Sequence, residues 1–338
     1  MFNVIPSENS AQWNGIIRSM INFDFYHLAE YHRMDESGTP LLLHYSDEIS
    51  AFALPVILRP IEGTKYNDIT SIYGYSGPLS NTNHPDQKTI YRFHKNLLRF
   101  FDENSVVSAF SRLHPLFPIQ EQILENIGNT LDTGITVAID LNLPENEQRK
   151  QYSHSLKNNI NRLKKKNLTV KKAETQVEIE AFVDIYAENM NRVHASKIYF
   201  FDSVYFSRFL QTLPSVMYLA YYESKIISGS LFTDCNGIIQ PHLSATLNDY
   251  LRISPLKYIW DEIRHYGMEK KRNYMHLGGG FGGSRDTLFE FKAQFSHQYF
   301  PFKTWRYVHN KEMYDQLIDD KFRNHLPDSS FFPLYRWA

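Results

Sequence analysis

The stretch from Gln240 to Phe295 limits the fold of this chain more than any other. Gln240-Pro241-His242-Leu243-Ser244-Ala245-Thr246 reads as a strand, and Ser254-Pro255-Leu256-Lys257 as the start of a helix with a polar N-terminus. His276-Leu277-Gly278-Gly279-Gly280 reads as a second strand running into a glycine loop, and Phe291-Lys292-Ala293-Gln294-Phe295 as a short helix carrying one lysine. Nothing else in the 338 residues has the look of assembled chemistry.

Periodicity and turn signals extend this order along the chain. Helices are predicted over residues 12–20, 86–101 and 119–126, with strands over 41–45, 50–60, 106–113 and 136–141 and a further strand ending in Tyr73-Gly74-Tyr75-Ser76-Gly77-Pro78. After a basic helix over about residues 145–166 the pattern returns. Helices are predicted over 177–191, 203–211, 255–270 and 286–295, and strands over 216–222, 225–233, 238–245, 274–277 and 303–308. Each half thus has helices, an antiparallel meander, a helix and closing strands, so the expected class is α/β, with two mixed sheets flanked by helices. Asn142-Leu143-Pro144 is the expected boundary, because proline there opens a helix. The division is residues 1–143 and 144–338.

Composition narrows the classes. A length of 338 residues suits two domains, and 24 Phe with 22 Tyr supply bulky cores. Cys235 is the sole cysteine, which excludes an intrachain disulfide and a thiolate zinc site. The histidines show no metal-binding spacing, so no catalytic metal is expected. With 36 basic against 37 acidic side chains, a polyanionic partner must be held by a local patch. No apolar run reaches the roughly 18 residues of a membrane helix, and Met1 to Gly15 has no signal-peptide pattern, so the expected location is cytoplasmic.

Four features carry candidate chemistry. Residues 149–172 hold nine basic side chains and no acidic one, as a solvated face or as a contact for phosphates, transfer RNA included. Gly278, Gly280 and Gly283 match a dinucleotide fingerprint, but too little chain follows for a nucleotide-binding sheet. The loop is either a tight turn or a bare backbone that a substrate approaches, with His276 and Arg285 flanking it as candidate acid or base and anion clamp. Ser254-Pro255 opens a helix whose N–H groups and dipole suit a phosphate, with Lys257 in the first turn, or it serves only as a cap. Strand alternation puts His242 and Ser244 on one face, as a hydrogen-bonded or a catalytic pair. No Gly-x-Ser-x-Gly elbow or third triad member accompanies them.

Taken in order, Tyr73 to Pro78, the basic helix, Tyr186 to Arg192, His242 to Ala245, and His276 to Gly280 leading to Phe291-Lys292 resemble the FemAB-type branch of the GNAT acyltransferase superfamily, over about residues 51–310. The resemblance implies tandem GNAT-like domains, with the donor in the second. It also implies transfer of an acyl or aminoacyl group from a thioester or a charged transfer RNA to an amine. The expected donor is acyl-CoA, acetyl-CoA being the simplest, or aminoacyl-tRNA. The expected acceptor is an amino sugar or peptide of a cell-envelope polymer. Lys292, His242 and His276 are the expected catalytic residues; Ser254, Pro255, Lys257, Gly278, Gly279 and Gly280 hold the donor; Tyr75, Arg192, Tyr199, Ser244 and Arg285 face the substrate. The pyrophosphate loop of simple GNAT enzymes is absent, with Leu251-Arg252-Ile253-Ser254-Pro255 in its place. The rival reading is a non-catalytic glycan- or peptide-binding module using Tyr199-Phe200-Phe201, Tyr205 and Phe206 as stacking surfaces.

Overall fold

The computed structural model describes residues 1–323, 327 and 329–337. Two compact units form, Met1–Gly134 with Pro301–Ala338, and Ile135–Phe300. This differs from a linear cut at residue 143: the chain leaves the first unit at Gly134 and returns to it at Pro301.

In the first unit the elements run β1 (Phe2–Pro6), α1 (Ser10–Arg18), α2 (Ala29–His32), β2 (Thr39–Ser46), β3 (Ala51–Pro60), β4 (Asn67–Thr70) and β5 (Leu79–Ser80). They continue through α3 (Gln87–Glu103), β6 (Val106–Arg112), α4 (Ile119–Ile123) and β7 (Asn129–Asp140), which crosses into the second unit. β1 to β4 form an antiparallel meander, with β5 also on β3. β3 is a continuous apolar run because both its faces are covered. Asp86 caps α3, whose Ile90, Phe93, Leu97, Phe100 and Phe101 form one apolar stripe against β3 and β6.

β4 and β6 are parallel, pairing Asn67 with Val106 and Ile69 with Ala109. Beyond β4 the join is kept up by single contacts: Ser71 N donates to Phe110 O (3.0 Å) and Ser76 N to Arg112 O (3.0 Å). The Tyr73–Pro78 segment is therefore a loop pinned to β6 and not the end of a strand. Gly74 (φ +121°) packs so closely that a Cβ would lie 1.9 Å from the Tyr26 ring, and one on Gly77 (φ +86°) would lie 2.6 Å from the Gln120 amide. His27 Nε2 and Gln120 Nε2 both donate to Ser76 O, at 3.2 and 2.7 Å. Burial holds His27 neutral, at about 4, and pushes the carboxyl of buried Asp24 beside it up to about 7.

The second unit holds α5 (Glu145–Gln151), α6 (His154–Lys165), β8 (Thr169–Lys172), α7 (Gln176–Arg192), α8 (Ser203–Thr212), β9 (Ser215–Tyr222), β10 (Lys225–Cys235) and β11 (Ile238–Thr246). α9 (Leu256–Glu269), β12 (Tyr274–Gly278) and α10 (Thr287–Ala293) follow, and β13 (Gln298–Val308) and α11 (Lys311–Phe322) return to the first unit. The strand order is β7-β12-β11-β10-β9-β8, parallel only between β11 and β12. α6 and α9 cover one face through Leu156, Ile160, Ile259, Trp260 and Ile263; α7 and α8 cover the other, with Phe182 against Gly229. The basic segment is two helices and an edge strand instead of one helix, because Ser153 breaks the run and caps α6. Part of its charge is consumed by a buried cluster. Asp261 accepts from Tyr152 Oη (2.9 Å), Arg264 Nη2 (3.1 Å) and Arg149 Nη1 (3.4 Å).

Each unit is a mixed, mainly antiparallel sheet between helices, the expected fold class. Among the described residues no helix is long and apolar enough to cross a membrane.

The C-terminal segment is tied to the first unit by one buried carboxylate. Asp68 accepts from Arg59 Nε (2.8 Å), Arg336 Nε (2.8 Å) and Tyr335 Oη (3.1 Å). Removing a buried ion pair's carboxylate strands its cations, a loss of about 3 kcal/mol. Asp68→Ala is expected to lower the urea midpoint accordingly and to raise amide exchange in α11 and Leu334–Arg336.

Candidate functional site

The sheet of the second unit opens between β11 and β12. Their parallel register comprises Ile238 with Tyr274 and Ile239 with Met275, and no later pair is formed among the described residues. From there β11 stays with β10 while β12 follows β7, His276 opposite Ala138 and Gly278 opposite Val137. At the apex of the opening Nδ1–H of fully buried His276 donates to Gln240 Oε1 (3.0 Å).

His242 and Ser244 lie on opposite faces, a correction to simple alternation. A β-bulge at Leu231/Phe232 leaves His242 as the extra residue of β11 and reverses the side on which it projects. Ser244 Oγ bonds Ser230 Oγ (2.6 Å), and Ser230 is in register with Tyr218, whose ring meets Tyr266 of α9. His242 instead stacks on Phe209 of α8 (4.6 Å), and its Nε2 meets Tyr205 Oη at 3.0 Å. Burial pulls His242 down to about 4, so it is neutral at pH 7 and shares one hydrogen bond with the Tyr205 hydroxyl.

Beyond β11 a 3-10 turn (Asn248–Ile253) leads to Ser254 in the left-handed region (φ +54°) and into α9. Ser254 does not cap α9: its hydroxyl turns back to Leu251 O (3.4 Å). Lys257 Nζ donates to Gln294 Oε1 at the end of α10 (2.9 Å). Burial, and then the nearby Arg162 guanidinium, hold Lys257 below its ordinary value. Two cations thus face the positive end of a helix dipole, an arrangement an anion would relieve.

The glycine loop is fixed by packing and by two charged side chains. A Cβ on Gly279 would lie 2.6 Å from Ile135 O, and one on Gly280 would lie 2.1 Å from Ser284 O. Asp286 caps α10 through Phe289 N (2.8 Å) and also accepts from Phe281 N (2.9 Å); these bonds hold its carboxyl below the usual range. Lys292 Nζ donates to Gly279 O (2.5 Å), and burial lowers its ammonium to about 8. The structure thus brings His276 to the apex, Lys292 of α10 onto the Gly278–Gly280 loop, and Ser254 to Lys257 to the start of α9.

Other expected residues have contacts of their own. Arg192 is exposed at the end of α7, where it bonds Asn189, and Tyr199 O accepts from Tyr186 Oη (2.9 Å). The Arg285 guanidinium lies over the Phe289 ring at 5.8 Å. Tyr75 belongs to the first unit, edge-on to Phe302 (5.3 Å) and Tyr26 (5.8 Å). Sequence reasoning gave no role to Gln240, Asp286 or Gln294 and took Tyr205 only as a stacking surface. Asp286, three residues ahead of Phe289, carried a cap signal, but nothing local pairs Tyr205 with His242 or Gln294 with Lys257. No cluster of three or more metal-ligating side chains is found among the described residues.

No family model matches this sequence, and no curated protein matches it. The fold, however, is shared with solved structures. FemX superposes with a TM-score of 0.74 at 10% identity, over 94% of this chain and 99% of that one. L-PGS from Bacillus licheniformis gives 0.60 at 11%, over 89% and 92%. A conserved protein of unknown function from Bacteroides thetaiotaomicron gives 0.60 at 10%, over 90% and 99%. The chain therefore has a FemAB-like fold of the GNAT type, as its sequence motifs implied.

Two outcomes test the loop. Gly280→Ala is expected to lose about 2 kcal/mol in urea unfolding from overpacking. Gly282→Ala, in open space at φ +61°, should lose only about 1 kcal/mol for its left-handed backbone. The second concerns Lys292, which holds its proton up to about 10.5 when unfolded but only to about 8 when folded. Over that window unfolding takes up a proton, so stability rises with pH. The stability difference between Lys292→Met and the parent should shift in the parent's favour by about 2 kcal/mol between pH 7 and pH 10.

Proposed function

We propose that this chain is an N-acyltransferase that moves an acyl group from an acyl-CoA to an amine, the acceptor being an amino sugar or peptide of a cell-envelope polymer. The observation that carries this reading is the opening of the β11/β12 pair after two residues, with the N-terminus of α9 directly beyond it. An extended donor arm carrying amides fits between two diverging strand edges. The α9 dipole with Lys257 and Arg162 suits its phosphates.

In this reading the amine nitrogen attacks the thioester carbon, the oxygen becomes an oxyanion, and the carbon–sulfur bond breaks as a thiolate leaves. Lys292, still mostly protonated at pH 7, is the donor placed for the oxyanion. The Tyr205–His242 pair relays the proton that the amine loses, through a neutral imidazole, to the departing thiolate, which leaves as the thiol. His276 acts by positioning Gln240 at the apex, since it is fully buried. Holding both substrates in one geometry supplies much of the acceleration, on the order of 7 kcal/mol.

A second reading, aminoacyl transfer from a charged transfer RNA, is favoured by the basic segment. Arg162, Lys165, Lys166, Lys171 and Lys172 are exposed and form no ion pair with a carboxylate among the described residues. The rival binding-module reading loses its platform in part: Phe206 is fully buried, and Tyr205 is committed to His242.

Calorimetry with acetyl-CoA, longer acyl-CoAs and mixed charged transfer RNA, at low and moderate salt, separates these. Coenzyme A binding that weakens about tenfold in Lys257→Ala is the expected result. Salt-sensitive RNA binding alone would move the donor to aminoacyl-tRNA, and binding of neither would favour the module. Lys292→Met should lower kcat about 100-fold with little change in KM. Full turnover in His242→Ala, His276→Ala and Lys292→Ala alike would remove the catalytic assignment.

A further inference from the structure

We infer that the concavity at the β8 edge of the second unit is a binding site for a saccharide carrying an acidic group, separate from the opening between β11 and β12. Its volume is about 540 Å³, and its walls come from the α6–β8 turn, β8 and the β9–β10 hairpin. Tyr221 forms a fixed wall, because its hydroxyl donates to Glu178 Oε1 at 2.6 Å. The Lys171 ammonium lies 5.8 Å from the centre of that ring, and Lys166 stands at the rim.

The turn at the rim is the second observation. Glu223 (φ +49°) and Ser224 (φ +67°) join β9 to β10 as a two-residue hairpin with both residues left-handed, a geometry for which Asn-Gly is the favoured pair. The next hairpin of the same sheet has that pair, Asn236 (φ +44°) and Gly237 (φ +82°). Keeping side chains at 223 and 224 is a backbone expense that the fold does not require. Such strain, held beside a cavity, points to use of the side chains.

The chemistry of the lining selects the ligand. Asn167, Thr169, Ser224 and Glu223 supply the amide, hydroxyl and carboxylate groups that pair with neighbouring sugar hydroxyls. The tyrosine wall suits the apolar face of a pyranose ring, and Lys166 and Lys171 pair with a carboxylate or phosphate.

Calorimetry on the full chain with oligogalacturonate, glucuronate, glucose 1-phosphate, a neutral maltooligosaccharide and a homopolymeric RNA tests this. At least one acidic saccharide is expected to bind about tenfold or more tightly than the neutral one, with glucuronate against glucose 1-phosphate telling carboxylate from phosphate. The double variant Glu223→Asn/Ser224→Gly should unfold at a higher temperature than the parent and bind that saccharide at least about fivefold more weakly. Lys171→Ala should weaken binding with an unchanged melting temperature. Unaltered binding in the double variant, binding of RNA alone, or no saccharide binding at millimolar concentration would each overturn the inference.

Discussion

The second unit is organised by a conflict of hydrogen-bonding allegiance. β11 and β12 begin as parallel neighbours, but β11 is held along its length by β10 while β12 is held by β7. Two strands committed to outer partners in a twisting sheet can share only their first residues. The gap, the half-buried start of α9 and the glycine loop at the end of β12 all follow from that divergence. The close backbone packing of Gly279 and Gly280, and the bond from Lys292 to Gly279 O, hold the far side of the gap in one shape.

The first unit meets the same conflict and resolves it differently. Its parallel pair, β4 and β6, also separates early, but the chain after β4 stays against β6 through Ser71 and Ser76. The Tyr73–Pro78 loop fills the place where a gap would be, locked by a buried histidine and glutamine on one carbonyl. A common order of elements thus yields one open and one closed sheet.

What the sequence revealed follows from the range of each signal. Strong local periodicity located α3, α7, α9 and the β9–β11 meander to within a few residues. β1, β8 and α11 were missed: β1 and β8 are short edge strands, and the packed side of α11 (Met313, Tyr314, Leu317, Ile318) is only partly buried. The motif from His276 to Lys292 was legible because its chemistry is contiguous, and glycine spacing marks tight packing. The bulge that turns His242 away from Ser244 was not, since it arises from a register shift against β10 that His242's neighbours do not encode. Pairings such as Tyr205 with His242 cross 37 residues and exist only once the sheet has formed.

The excursion of the chain at Gly134 and its return at Pro301 also set an order of assembly. The second unit is one unbroken stretch, so it closes with segments adjacent along the polypeptide. The first cannot finish until Thr304–Val308 reaches β6, made almost two hundred residues earlier. As synthesis proceeds from the N-terminus, the earlier-made unit is therefore the later one to be completed, with its β6 edge waiting for the last strand. That interval exposes an apolar strand edge to the chaperones and to aggregation, whereas the inserted unit is already sealed.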